Sequence, residues 1–99
     1  MDVRFADQQN LERLENEVGF NAGFGVPVVR GFRKVIQVIR SAPDERTFYA
    51  MRSLNFEKLK GKRSHQHSFR LNIQWRLIVE IEDSSPKHIV VLMGIEDYH

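Results

Sequence analysis

The chain reads as an α+β domain of order βααβββ, an antiparallel-rich sheet covered on one face by two N-terminal helices. Three observations carry that reading. A helical apolar stripe, Val28, Phe32, Val35, Ile36 and Ile39, runs through the first half. Three apolar or alternating runs, His67–Leu71, Trp75–Glu82 and His88–Glu96, fill the second half. A short alternating segment, Asp2–Phe5, stands at the start, with Val3 and Phe5 on one side.

Each element follows from its residues. Asp2–Phe5 is the first strand. Gln8–Val18 is a helix with Leu11, Leu14 and Val18 on one stripe, broken by Gly19, Gly23 and Gly25. Pro27 suits the first turn of the second helix, where its missing N–H costs nothing. That helix turns Arg30, Arg33, Lys34, Gln37 and Arg40 outward, and Pro43 stops it. Asp44 caps a short helical piece reaching Met51. Asn72-Ile73-Gln74 and Asp83-Ser84-Ser85-Pro86 are turns between strands. The run Ile89-Val90-Val91-Leu92-Met93 reads as a central, buried strand.

Residues 1–99 form one domain, 41% hydrophobic with seven Phe and one Trp, enough for a real core. Without cysteine there is neither a disulfide framework nor a thiolate metal site. No stretch approaches the roughly 18 apolar residues of a membrane span. The start, Met1-Asp2-Val3-Arg4-Phe5, lacks a signal-peptide pattern. The expectation is a cytoplasmic protein with no membrane association and no cofactor.

The net charge of +2 conceals a strong segregation. Residues 1–29 carry two basic and five acidic groups, and residues 77–99 one basic and five acidic. Between them, residues 30–76 carry twelve basic and three acidic groups, a net of +9. Such a block is an electrostatic footprint for a polyanion, or else a solvated basic face balanced by the acidic ends.

Alternation sets Arg70 opposite to Phe69 and Leu71, and Arg76 opposite to Trp75 and Leu77. Pairing Leu71 with Trp75 places Arg70 across from Arg76 on an exposed sheet face. Like charges so placed repel by roughly 0.2–1 kcal/mol. The pair either splays or expects an anion, and two guanidiniums suit the fork geometry of a phosphate. Lys58, Lys60, Lys62 and Arg63 lead into this strand, with Gly61 letting the backbone turn. His65 and His67, spaced i, i+2, would share a face and are candidate RNA contacts. A metal site would need a third ligand such as His99 or Asp97; no metal is expected.

Asp97-Tyr98-His99 has the chemistry of a metal-free ribonuclease. Such an enzyme uses the ribose 2′-OH as nucleophile. It needs a base for that hydroxyl, an acid for the leaving 5′-oxygen and positive charge on the phosphorane. Histidine serves as acid or base near neutrality.

Leu54-Asn55-Phe56-Glu57-Lys58-Leu59-Lys60-Gly61 is followed by Ser68-Phe69-Arg70-Leu71-Asn72-Ile73-Gln74-Trp75-Arg76, and the chain finishes in Glu96-Asp97-Tyr98-His99. Together these segments resemble the pattern LxxLKG…S(I/F)R(L/I)NxQWR(L/I)…DYH of the RelE superfamily. Within it they are most similar to the HigB-like toxins of bacterial type II toxin–antitoxin modules. The match is close over residues 54–99; residues 1–53 agree in element order only.

The resemblance implies a RelE-type fold, cleavage of mRNA on the translating ribosome, and neutralisation by a helix-turn-helix antitoxin of the HigA type. It implies that Lys60 stabilises and Arg76 binds the phosphate, that Asp97, Tyr98 and His99 form the catalytic group, and that Arg70 is a further RNA contact. Some family members place a histidine three residues before the LKG lysine, where this chain has Glu57. Its role passes to Glu57, to a larger share for His99, or to His65 or His67.

Two other functions compete. One is a non-enzymatic toxin of the same fold that blocks a protein target such as DNA gyrase. The other is a nucleic-acid-binding adaptor. A gyrase inhibitor needs no set of Lys60, Arg76 and His99, and binding alone does not call for a terminal Asp-Tyr-His.

Overall fold

In the computed structural model, which describes residues 1–84 and 87–97, the expected apolar stripe does its work. The helix α2 (Val26–Ser41) buries Val28, Phe32, Val35, Ile36 and Ile39. Burying side chains of this size contributes roughly 1.5–3 kcal/mol each. Pro27 lies in the first turn, and the helix ends at Ser41, before Pro43.

The first helical region differs from the expectation over Gln8–Val18. A π-turn, Gln8–Glu12, leads into one turn of α-helix, α1 (Arg13–Asn16). Leu11 and Leu14 are buried as expected, but Val18 is 99% exposed. Glu17 already has extended backbone angles. The reason is tertiary: Arg33, from α2, donates through Nε to the Leu14 carbonyl and through Nη2 to the Glu17 carbonyl, both at 3.1 Å. These bonds satisfy the orphan carbonyls of a helix that stops early.

Asp44 accepts from the Arg46 backbone N–H at 2.9 Å, and the short helix α3 (Arg46–Ala50) follows. Its Phe48 packs edge-on to Phe69 at 4.9 Å and tilts against Phe56 at 5.3 Å.

The sheet has five strands: β1 (Asp2–Phe5), β2 (Glu57–Lys58), β3 (His67–Arg70), β4 (Trp75–Ser84) and β5 (Lys87–Asp97). Their order is β1-β5-β4-β3-β2. The β2–β3, β3–β4 and β4–β5 pairs are antiparallel, whereas β1 runs parallel to β5. The sheet is therefore mixed; α3 is the short helical piece expected after Asp44, and the expected order of one strand, two helices and three strands gains β2. Two residues are too few to show a period, so β2 left no signal. The turn expected over Asp83–Pro86 has Ser85 and Pro86 outside the described residues.

As expected, β5 is central, flanked by β1 and β4. Phe69, Leu77, Val79, Val90 and Leu92 meet α2 in the core. The register slips between Ile78/Gly94 and Val79/Leu92, so β5 carries an extra residue there. Such a bulge re-aims the strand end beyond it, here residues 94–97.

Candidate functional site

The β3–β4 hairpin turns through Asn72, Ile73 and Gln74. Asn72 Oδ1 accepts from the backbone N–H groups of Gln74 (2.9 Å) and Trp75 (2.7 Å), a side-chain closure typical of asparagine turns. The turn sets Arg70 opposite Arg76, the pairing the sequence predicts.

The two arginines do not both lie exposed, and here the sequence expectation fails. Arg70 is exposed, with Nε donating to the Asn72 carbonyl at 3.3 Å. Arg76 is 4% exposed. Its Nε donates to Ser68 Oγ at 2.7 Å, and its Nη2 donates to the carbonyls of Asn55 and, at 3.4 Å, Ser68. With its amide turned to suit both neighbours, Asn55 also accepts from Arg76 Nη1 (3.3 Å) and donates to Glu57 Oε1 (3.1 Å). Burying a charge is costly without such bonds. Asn55 itself sits in the left-handed region at φ 43°, which asparagine tolerates better than most residues.

Ser68, Arg76 and Ile78 belong to the sheet face turned away from the α2 core. They form one side of a cleft of about 210 Å³. Leu59 and Arg63 come from the loop before β3, and Glu96 and Asp97 from the end of β5. Asp97 Oδ2 accepts from Gln74 Nε2 at 3.0 Å. A second cleft, about 200 Å³, opens on the other side of Arg76 between Asn55, Arg70, Asn72 and Ile73. Arg76 thus borders both.

The loop before β3 turns at Gly61, whose φ of 66° is easy only for glycine, and makes one tight turn, Gly61–Arg63. The Leu59 N–H to Gln66 carbonyl bond (2.9 Å) closes its base. Arg63 grips both Glu96 oxygens, at 2.9 and 2.7 Å, and donates to Gln66 Oε1 at 3.0 Å. Its guanidinium holds the Glu96 carboxyl below the ordinary carboxylate range.

The candidate residues separate accordingly. Arg76 and Asp97 share the first cleft with Arg63, and Arg70 lines the second. Lys60 is exposed on the loop between Leu59 and Arg63 without being one of the lining residues, and Lys62 is exposed on the same loop. His65 is exposed and approaches Glu80 Oε2 at 3.7 Å. Tyr98 and His99 lie outside the described residues.

His67 stacks on Phe56 at 4.8 Å and 7° between ring planes, beside the core. Lys58 pairs with it in register and so shares that face, opposite to Arg76. Neither belongs to the cleft. Burial pushes the His67 imidazole below its ordinary value, Lys58 adds to that, and Glu45 opposes it. His65 and His67 do not share a face because His65 sits in a turn. Among the described residues, no three His, Asp or Glu side chains gather as metal ligands.

Asn55, Ser68, Gln74 and Glu96 were not singled out as site residues. The alternation of Ser68 with Phe69 could have revealed Ser68. The others depend on contacts between distant segments. A larger groove, about 410 Å³, lies by Phe20, Phe24, Val26 and Val29, and among the described residues no carboxylate or imidazole lines it.

No family profile and no curated protein matches the chain. Solved structures share its architecture, two of them over nearly the whole chain. One is a conserved hypothetical protein from Helicobacter pylori, at TM-score 0.54 and 16% identity, covering 99% of this chain and 94% of that one. The other is a YoeB/ParE toxin from Agrobacterium tumefaciens, at TM-score 0.64 and 18% identity, covering 100% of both chains. The chain therefore has the fold of the YoeB/ParE toxin.

Proposed function

We propose that this chain is the toxin of a toxin–antitoxin module and acts as a ribosome-dependent mRNA endonuclease that needs no metal. One observation carries the reading. Arg76 is anchored by hydrogen bonds from its guanidinium to Ser68 and Asn55, in a cleft that Asp97 also lines. A pre-placed cation costs no reorganisation when negative charge develops on a phosphorane.

In this reading Arg76 binds the scissile phosphate and Lys60 adds charge from the loop. Tyr98 and His99, which follow Asp97 in sequence, supply acid, base and orientation. The 2′-OH attacks phosphorus and the 5′-oxygen leaves with a proton, producing a 2′,3′-cyclic phosphate. Arg70, Lys62 and His65 contact the RNA backbone. The partner is a helix-turn-helix antitoxin of the HigA type, and the site of action is the cytoplasm. The terminal Asp97-Tyr98-His99, together with Lys60 and Arg76, favours a nuclease over a gyrase-directed toxin.

Primer extension on an mRNA, with and without ribosomes, tests the reading. Wild type should cut only with ribosomes present, and should still cut when EDTA is added at a level that leaves ribosomes intact. His99→Ala should lower the rate by roughly 10²–10⁴-fold, the usual worth of a general acid or base. Growth arrest on expression with intact mRNA would overturn the nuclease reading in favour of a non-enzymatic toxin.

A further inference from the structure

Arg63 looks at first like one more RNA-binding cation. Its geometry says otherwise. Both guanidinium Nη atoms are spent on Glu96, at 2.9 and 2.7 Å, and Nε is spent on Gln66 at 3.0 Å. A bidentate arginine–carboxylate fork is directional as well as attractive. It is also a tie between distant parts of the chain, because Arg63 ends the tight turn Gly61–Arg63 and Glu96 sits near the end of β5.

Glu96 is placed by register. It pairs across the β4–β5 ladder with Arg76, so both are on one sheet face. Arg63 and Glu96 both line the cleft that Arg76 borders. The base of the loop is fixed independently, through Leu59 to the Gln66 carbonyl and Gln66 Nε2 to Glu80 Oε2 at 3.1 Å. Its tip, from Lys60 to Arg63, is tied by the Glu96 fork to β5, two strands away from β3.

We infer that Glu96 is a positioning residue that acts through Arg63, holding the loop that carries Lys60 at the edge of the Arg76 cleft. An isolated exposed pair adds little to stability. Its value here is geometric, since a misplacement of about 1 Å can cost a catalytic group roughly 10²-fold. The kinetic consequence rests on the nuclease reading; the structural one does not.

The two roles for Arg63 predict opposite signs. If Glu96 merely restrains an RNA-binding arginine, Glu96→Gln frees that cation, tightens RNA binding and raises activity. If Glu96 positions the loop, Glu96→Gln lowers kcat by about 10–100-fold with KM little changed. In that case the exchanged pair, Arg63→Glu with Glu96→Arg, recovers most of the loss. Hydrogen exchange of amides 59–66 should quicken in Glu96→Gln and return towards wild type in the exchanged pair, while the thermal midpoint stays near wild type. Unchanged or raised activity in Glu96→Gln, or no recovery in the exchanged pair, overturns the inference. Wild type that cuts no RNA sinks the nuclease reading alone. The exchange measurement then decides by itself, and unaltered protection of 59–66 in Glu96→Gln overturns the positioning role.

Discussion

Arg70 and Arg76 stand opposite each other across the β3–β4 hairpin; Arg70 is exposed, whereas Arg76 is buried save for the edge it shows to the two clefts. The sheet resolves the like-charge pair by burying one member against neutral oxygens and turning the other towards the hairpin loop. The two should therefore differ sharply on substitution. Arg76→Ala leaves Ser68 Oγ and the Asn55 carbonyl without that donor, and should cost about 1–3 kcal/mol in denaturant unfolding. Activity in the proposed reaction should fall by roughly 10²–10³-fold. Arg70→Ala should leave stability within about 0.5 kcal/mol of wild type. Equal destabilisation by both would contradict the burial of Arg76.

Phe32 is fully buried on α2, against the sheet core. Phe32→Ala should cost about 3–5 kcal/mol, a large part of the stability of so small a domain. A drop in urea midpoint at constant m-value would confirm it. A loss under 1 kcal/mol, on the order of a surface change, would count against the packing described.

Gly31 lies where α2 passes the hairpin. A Cβ there would sit 2.2 Å from the Leu71 carbonyl oxygen, a backbone atom with little freedom to retreat. Gly31→Ala should therefore destabilise by about 1–3 kcal/mol, despite the better helix propensity of alanine. An alanine variant more stable than wild type would show that the helix does not approach so closely.

His67 gives the fold a pH dependence whose sign follows from burial. Its folded-state value lies below the ordinary 6.5, so the unfolded chain takes up the proton more readily. Its contribution is complete above 6.5 and is lost as pH falls from there through the folded value. Among the described residues the Nδ1 atom has no hydrogen-bond partner, so no acceptor there rewards protonation. Thermal midpoints measured at about pH 7.5 and about pH 5 should separate in wild type and draw together in His67→Phe, which keeps the stack on Phe56. An unchanged separation would locate the pH dependence elsewhere.

The sequence by itself determined those features that repeat within one element. The stripe from Val28 to Ile39 has the helical period, and the alternation from Trp75 to Glu82 has the strand period. Both survive any arrangement of neighbours. The apolar run through Leu92 announced a central strand for the same reason. The opposition of Arg70 and Arg76 was also legible, because a short hairpin turn dictates register locally.

The tertiary structure decided whatever depended on segments far apart in the chain. Alternation says which side chains share a face but not which way a neighbouring strand runs, so the parallel pairing of β1 with β5 was invisible. Arg33 ends α1 from another helix, which is why Val18 left its expected stripe. Arg76 became a buried cation because Asn55, 21 residues earlier, brings a carbonyl to it. His67 joined the aromatic cluster because Phe56, on a different segment, offered a ring face. Arg63 changed from a basic loop residue to a tie because Glu96 lies 33 residues away in sequence and within hydrogen-bond reach in space. A side chain's period is written in its neighbours along the chain; its partner is chosen by the fold.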